Sequence, residues 1–100
     1  MYWISKKSLW LAKKMNLKLL FFASLREKCE FSQKEITLLK QVRTAEEFLL
    51  EMSKQVGGDW VDLFENKNMY KLAINQELSS WSDLIHEGDE LAIFPPITGG

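Results

Sequence analysis

Cysteine and histidine occur once each in this chain of 100 residues, as Cys29 and His86. A single cysteine forms no internal disulfide, and one of each cannot supply the ligands of a protein zinc site. The scarcity agrees with a reducing compartment and points to the cytoplasm. No Gly-rich phosphate loop is present, because Gly57-Gly58 lacks the required spacing and the following lysine. No apolar run approaches the roughly 20 residues of a membrane span. The carboxylates are scattered, with no pair marked out as an acid/base couple. Cys29 shows no sign of activation, and His86 reads as a surface residue before a turn. Conventional catalytic sets and metal sites are therefore not expected. Proline is nearly absent too, and both copies, Pro95 and Pro96, stand six residues or fewer from the end.

What is present suits one domain with one modest core: 46% hydrophobic residues and 12% aromatics. The net charge of −1 hides an asymmetry. Residues 1–14 carry Lys6, Lys7, Lys13 and Lys14 and no acid, leaving an excess of five acidic charges in 15–100. An acidic body argues against nucleic acid and favours a basic protein partner. In 1–14 the lysines alternate with Trp3, Ile4, Leu9, Trp10 and Leu11. A membrane-surface helix or a targeting segment has this composition, but the apolar stretches are too short for a secretory signal. Met15 opens a clean domain start, so 1–14 is read as a non-native or dispensable leader, 15–94 as the domain and 95–100 as a tail.

The apolar run of 17–23 predicts a buried strand and 35–40 a second, with the polar segment 24–34 as the hairpin turn between them. Thr44-Ala45-Glu46-Glu47 has the form of a capping box: Thr44 accepts from the Glu47 N–H, and the Glu47 side chain returns the bond. Ala45, Phe48, Leu49, Met52 and Val56 then make one apolar stripe, and Gly57-Gly58 supplies a left-handed end, so the main helix is expected at about 44–56. A short helical turn is expected over 59–65, with Trp60, Leu63 and Phe64 inward. Asn66-Lys67-Asn68 signals a turn, 69–75 a strand, Asn75-Gln76-Glu77 a turn, Leu78 a very short strand, and Glu87-Gly88-Asp89 the last turn before a strand over 90–94. The first and last strands, both unusually apolar, should pair in parallel at the sheet centre. The expectation is an α+β, β-grasp fold, a mixed sheet of four to five strands crossed by one main helix.

The ending Phe94-Pro95-Pro96-Ile97-Thr98-Gly99-Gly100 is the most specific feature. Two prolines fix φ and withhold two N–H donors, so the ladder stops and an extended, semi-stiff arm leaves the domain. Six extended residues reach roughly 20 Å. Gly99 and Gly100 lack a Cβ, fit a narrow slot and present a free carboxylate. An ionised carboxylate is a poor electrophile. For chemistry it must first be activated, as an acyl-adenylate made by a partner with ATP, after which the acyl group accepts sulfur or an amine.

Taken together, Leu19-Leu20-Phe21-Phe22-Ala23-Ser24-Leu25-Arg26-Glu27, Ala73-Ile74-Asn75-Gln76, Glu87-Gly88-Asp89-Glu90-Leu91-Ala92-Ile93 and the tail resemble the small-subunit family of molybdopterin synthase, ubiquitin-like sulfur carriers. The likeness spans 15–100. It implies that Gly100 is adenylylated by an enzyme of the ubiquitin-E1-like type, using ATP and magnesium, and converted to a thiocarboxylate with sulfur from a sulfurtransferase or cysteine desulfurase. The tail then enters a large catalytic subunit and donates sulfur to cyclic pyranopterin monophosphate. On this resemblance Gly99 and Gly100 are the reactive tip, and Phe94, Pro95, Pro96, Ile97, Thr98, Leu78 and Arg26 meet partners. Phe22 is read first as core. No permanently bound cofactor, nucleic acid or membrane is implied. The alternatives are a sulfur carrier for the thiazole of thiamine, a protein modifier joining Gly100 to lysine, and a β-grasp interaction module without tail chemistry.

Overall fold

A computed structural model describes the backbone of residues 14–25 and 28–95, and the side chains of these apart from 22–32. Five strands form one mixed sheet: β1 (Met15–Leu25), β2 (Lys28–Leu38), β3 (Lys71–Ile74), β4 (Glu77–Ser79) and β5 (Glu90–Phe94). Two helices, α1 (Ala45–Gln55) and α2 (Asp59–Glu65), and a 3-10 helix (Lys67–Met69) lie between β2 and β3. The strand order is β2-β1-β5-β3-β4, with β1 and β5 parallel and the remaining neighbours antiparallel. This is the expected β-grasp topology, with the last strand at the centre.

Alternation along the strands decides which face is covered. Met15, Leu17 and Leu19 of β1, Leu72 of β3, and Leu91 and Ile93 of β5 are buried in one cluster with Phe48, Leu49 and Met52 of α1. Fully burying a side chain of this size stabilises the fold by about 1.5–3 kcal/mol. Val56 departs from the expected stripe and is 62% exposed. It is the C-cap residue, with ψ at −41°, and the next residue, Gly57, already turns left-handed at φ 74°. The helix ends at Gln55, one residue before the last apolar residue of the stripe.

The cap of α1 is half as predicted. Thr44 Oγ1 accepts from the Glu47 N–H at 3.2 Å, but Glu47 Oε1 reaches one residue further back, to the Arg43 N–H at 2.6 Å. The Thr44 N–H is not its target. The next two helical donors, the N–H groups of Ala45 and Glu46, are met by the carbonyls of Asp83 and Trp81. The connection from β4 to β5 thus straps the start of α1, reinforced by an antiparallel bridge between Thr44 and Leu84.

The first hairpin is where the sequence reading fails most. Segment 24–34 is not a long turn: the strands stay in register to Leu25 opposite Lys28, and Cys29 pairs with Ser24 inside the ladder. Only residues 18–21 of β1 have partners on β5. Beyond them the hairpin is a two-stranded ribbon, which satisfies its backbone without the unbroken apolar character that marks a central strand. Its polar composition is that of a solvated ribbon, not of a loop. The ends also shift: β1 begins at Met15 rather than 17, β2 stops at Leu38 before an exposed Leu39, and Met69 belongs to the 3-10 helix, so β3 is shorter than 69–75.

Candidate functional site

The site is the end of the sheet where β5 finishes. Ile93 is opposite Phe21 on β1 and opposite Leu72 on β3, and Phe94 pairs with Lys71 at the start of β3. Pro95, half-buried, follows directly and cannot donate to a ladder. The chain therefore leaves from the middle of the sheet, between two strands, rather than from an edge. Pro96, Ile97, Thr98, Gly99 and Gly100, and also Arg26, lie outside the described residues. The side chain of Phe22 does too.

Leu78 and Phe94 are placed together in one respect. Leu78 pairs with Ala73, and Ala73 with Ala92, two residues before Phe94 on the same face of β5. Directly opposed residues project to one side of a sheet, so Leu78, Ala73, Ala92 and Phe94 share a face. It is the face turned away from the helices, since neither alanine belongs to the cluster around α1. Two alanines keep its floor low, and Leu78 rises from it with 79% of its surface exposed.

At the opposite end of the sheet a polar network sets the start of β5, built from residues of two turns and from Asn16. Asp89 accepts from the His86 N–H at 2.8 Å and from Asn75 Nδ2 at 3.0 Å, while Asn75 Oδ1 accepts from the Glu90 N–H at 3.0 Å. Glu87 accepts from the Asn16 N–H and from Asn16 Nδ2, and the Gly88 N–H donates to the Asn16 carbonyl. Gly88 is at φ 84°, and Asn75 and Gln76 adopt φ of 51° and 72°, the geometry of a two-residue hairpin turn. The Glu-Gly-Asp motif thus positions the strand that carries the tail. Asn75, which tolerates the left-handed region, was the one available signal for this network.

His86 Nδ1 lies 3.8 Å from Asp89 Oδ2, but the imidazole is 76% exposed and the carboxylate is engaged by backbone and Asn75. Among the described residues no group of three or more His, Cys, Asp or Glu side chains is arranged to hold a metal ion. No described helix is long and apolar enough to cross a membrane.

The ThiS family model matches residues 19–100. Two proteins named molybdopterin synthase sulfur carrier subunit are similar over 84 residues, 84% of this chain and 99% of each relative: that of Haemophilus influenzae at 39% identity and that of Escherichia coli at 34%. Among solved structures, SAMP1 from Haloferax volcanii superposes with a TM-score of 0.55 at 20% identity, covering 85% of this chain and 99% of its own, a likeness of fold.

Proposed function

The chain belongs to the ThiS family, and on that footing we propose that it is the sulfur carrier subunit of a molybdopterin synthase, working in the cytoplasm. The observation that carries the reading is its identity with two such subunits over nearly their whole length. The geometry supports it: a central strand, paired on both sides, ends in Phe94-Pro95 and leads to the diglycine terminus.

The chemistry resides at Gly100. An E1-like partner binds ATP and magnesium, and a carboxylate oxygen of Gly100 attacks the α-phosphorus and expels pyrophosphate. A persulfide on a sulfurtransferase or cysteine desulfurase then displaces AMP, and a thiol cleaves the S–S bond of the resulting acyl disulfide, forming a new disulfide and leaving the thiocarboxylate. The slim tail enters the large subunit, where its sulfur attacks an oxygen-bearing side-chain carbon of cyclic pyranopterin monophosphate and the C–O bond there breaks, its oxygen leaving with a proton. Water cleaves the acyl–sulfur bond and returns the carboxylate. Two rounds build the dithiolene. Catalysis belongs to the large subunit; this chain binds, presents and is recharged. Arg26, Leu78 and Phe94 meet the partners, with Pro95, Pro96, Ile97 and Thr98 spanning the channel.

The test is intact mass after incubation with the activating enzyme, ATP, magnesium and a sulfur donor. The expected product gains the mass difference of sulfur for oxygen, and deletion of Gly100 prevents the gain while the fold persists. Conjugates to lysine alone would establish a protein modifier instead. A chain that stays unmodified would be a binding module.

A further inference from the structure

The helix side of the same sheet end holds a recess of about 280 Å³ that the carrier chemistry does not use. Phe21, Trp60, Leu63 and Tyr70 form its walls, and Asp59 and Asp62 stand at its rim. Phe21 meets Trp60 edge-on, with ring centroids 5.5 Å apart, and Trp60 meets the fully buried Phe48 at 5.9 Å and 89°. The aromatic walls are therefore fixed by the core. The rim is not: neither the Asp59 nor the Asp62 carboxylate, nor the Tyr70 hydroxyl, has a hydrogen bond or ion pair with another described residue. Lys67 is engaged elsewhere, 4.5 Å from the Phe64 ring centroid and 3.8 Å from Glu46 Oε2.

The recess adjoins the root of the tail. Phe21 is the register partner of Ile93, and Tyr70 precedes Lys71, the partner of Phe94. We propose that the recess receives an arginine side chain from the protein that accepts the tail, a contact on the side of the sheet opposite to Leu78. A guanidinium stacks on indole and phenol faces and offers a planar fork of donors to two carboxylates. Ammonium is a compact, strongly hydrated point charge and matches flat aromatic walls less well. The acidic excess of residues 15–100 adds long-range attraction for a basic partner. This inference rests on the carrier reading, because it takes its occupant from the acceptor of the tail.

The experiment measures calorimetric affinity between the whole chain and the molybdopterin synthase large subunit of the same source. It uses the wild type, the shape-preserving variant Asp59→Asn/Asp62→Asn, and an arginine-to-lysine scan of the large subunit. The expected result is at least a tenfold loss of affinity for the double variant, with thermal unfolding unchanged. One arginine should show a strongly non-additive effect with it. Unchanged affinity, or additivity at every arginine, would overturn the proposal while sulfur loading of Gly100 still supports the carrier. Should the wild-type chain form no complex at all, both readings fall, and the intact-mass test of Gly100 tells that failure apart from the first.

Discussion

Replacing Asp89 by alanine should unfold the domain early without touching the chemistry of the tail. The carboxylate, 16% exposed, holds two donors, the His86 N–H at 2.8 Å and Asn75 Nδ2 at 3.0 Å. Hydrogen bonds to an ionised acceptor contribute about 1.5–3 kcal/mol each when well shielded, and less where water can replace the acceptor. Both donors sit on exposed residues, so about 1 kcal/mol per bond is the defensible figure. The ion pair with His86 adds little, since the imidazole is mostly in water. The total is about 2 kcal/mol, and at about 4–8 °C per kcal/mol for a domain of this size the melting temperature should fall by about 8–16 °C. Asp89→Asn keeps one acceptor oxygen and should lose about half as much. Calorimetric unfolding of the three proteins measures the shift, and a sulfur-transfer assay run well below the transition should find them equal. A melting temperature for Asp89→Ala matching that of the wild type would refute the argument. So would lost sulfur transfer in a variant of undiminished stability, which would make Asp89 a contact residue rather than a clamp.

Phe48→Ala removes a fully buried ring that supports Trp60 and should cost about 3–5 kcal/mol, while Val56→Ala, on an exposed residue of the same sequence stripe, should stay within about 0.5 kcal/mol. Urea unfolding separates the two, and equal losses would contradict the observed end of the helix. Leu78→Asp should leave the melting temperature unchanged and weaken the complex with the large subunit at least tenfold; equal affinity would remove Leu78 from the contact face. A chain beginning at Met15 should match the full chain in stability and sulfur transfer, because the described tie to the leader is one exposed bond, Gln41 Nε2 to the Lys14 carbonyl, of about 0.5–1.5 kcal/mol at most. Loss of partner binding in that truncation would show the leader to be needed.

The order of elements was legible because each has a strong local cause. Thr44 and Gly57 bound the main helix, Asn75-Gln76 and Glu87-Gly88-Asp89 bound short turns, and two unusually apolar runs had to be neighbours at the centre. The hairpin was not legible, since a ribbon outside the sheet needs no apolar character and its residues look like loop. Val56 was misplaced for a related reason: periodicity says which side of a helix a residue is on, but not whether the helix still exists there. The functional signal was uneven in the same way. A diglycine after two prolines announces itself without tertiary context. The recess at Trp60 draws on three separate elements, and no spacing in the sequence joins Phe21 to Asp59 and Tyr70.

The parallel pairing of β1 and β5 has a mechanical consequence for a carrier whose tail is gripped by its partners. A terminal strand at a sheet edge is peeled away one hydrogen bond at a time. Here β5 is flanked along nearly its whole length, by residues 18–21 of β1 on one side and by 71–74 of β3 on the other. Tension on the tail acts along the strand axis, so both ladders are loaded in shear and must fail together. At its far end the strand is further held by the Lys18 N–H on the Asp89 carbonyl, the Asn75 N–H on the Glu90 carbonyl, and the Asp89 and Glu87 side chains. An edge-strand carrier would need only its tip to be reactive; this one also fixes where the tip's path begins. The anchor network thus lies at the end of β5 opposite to the root of the tail and the recess beside it.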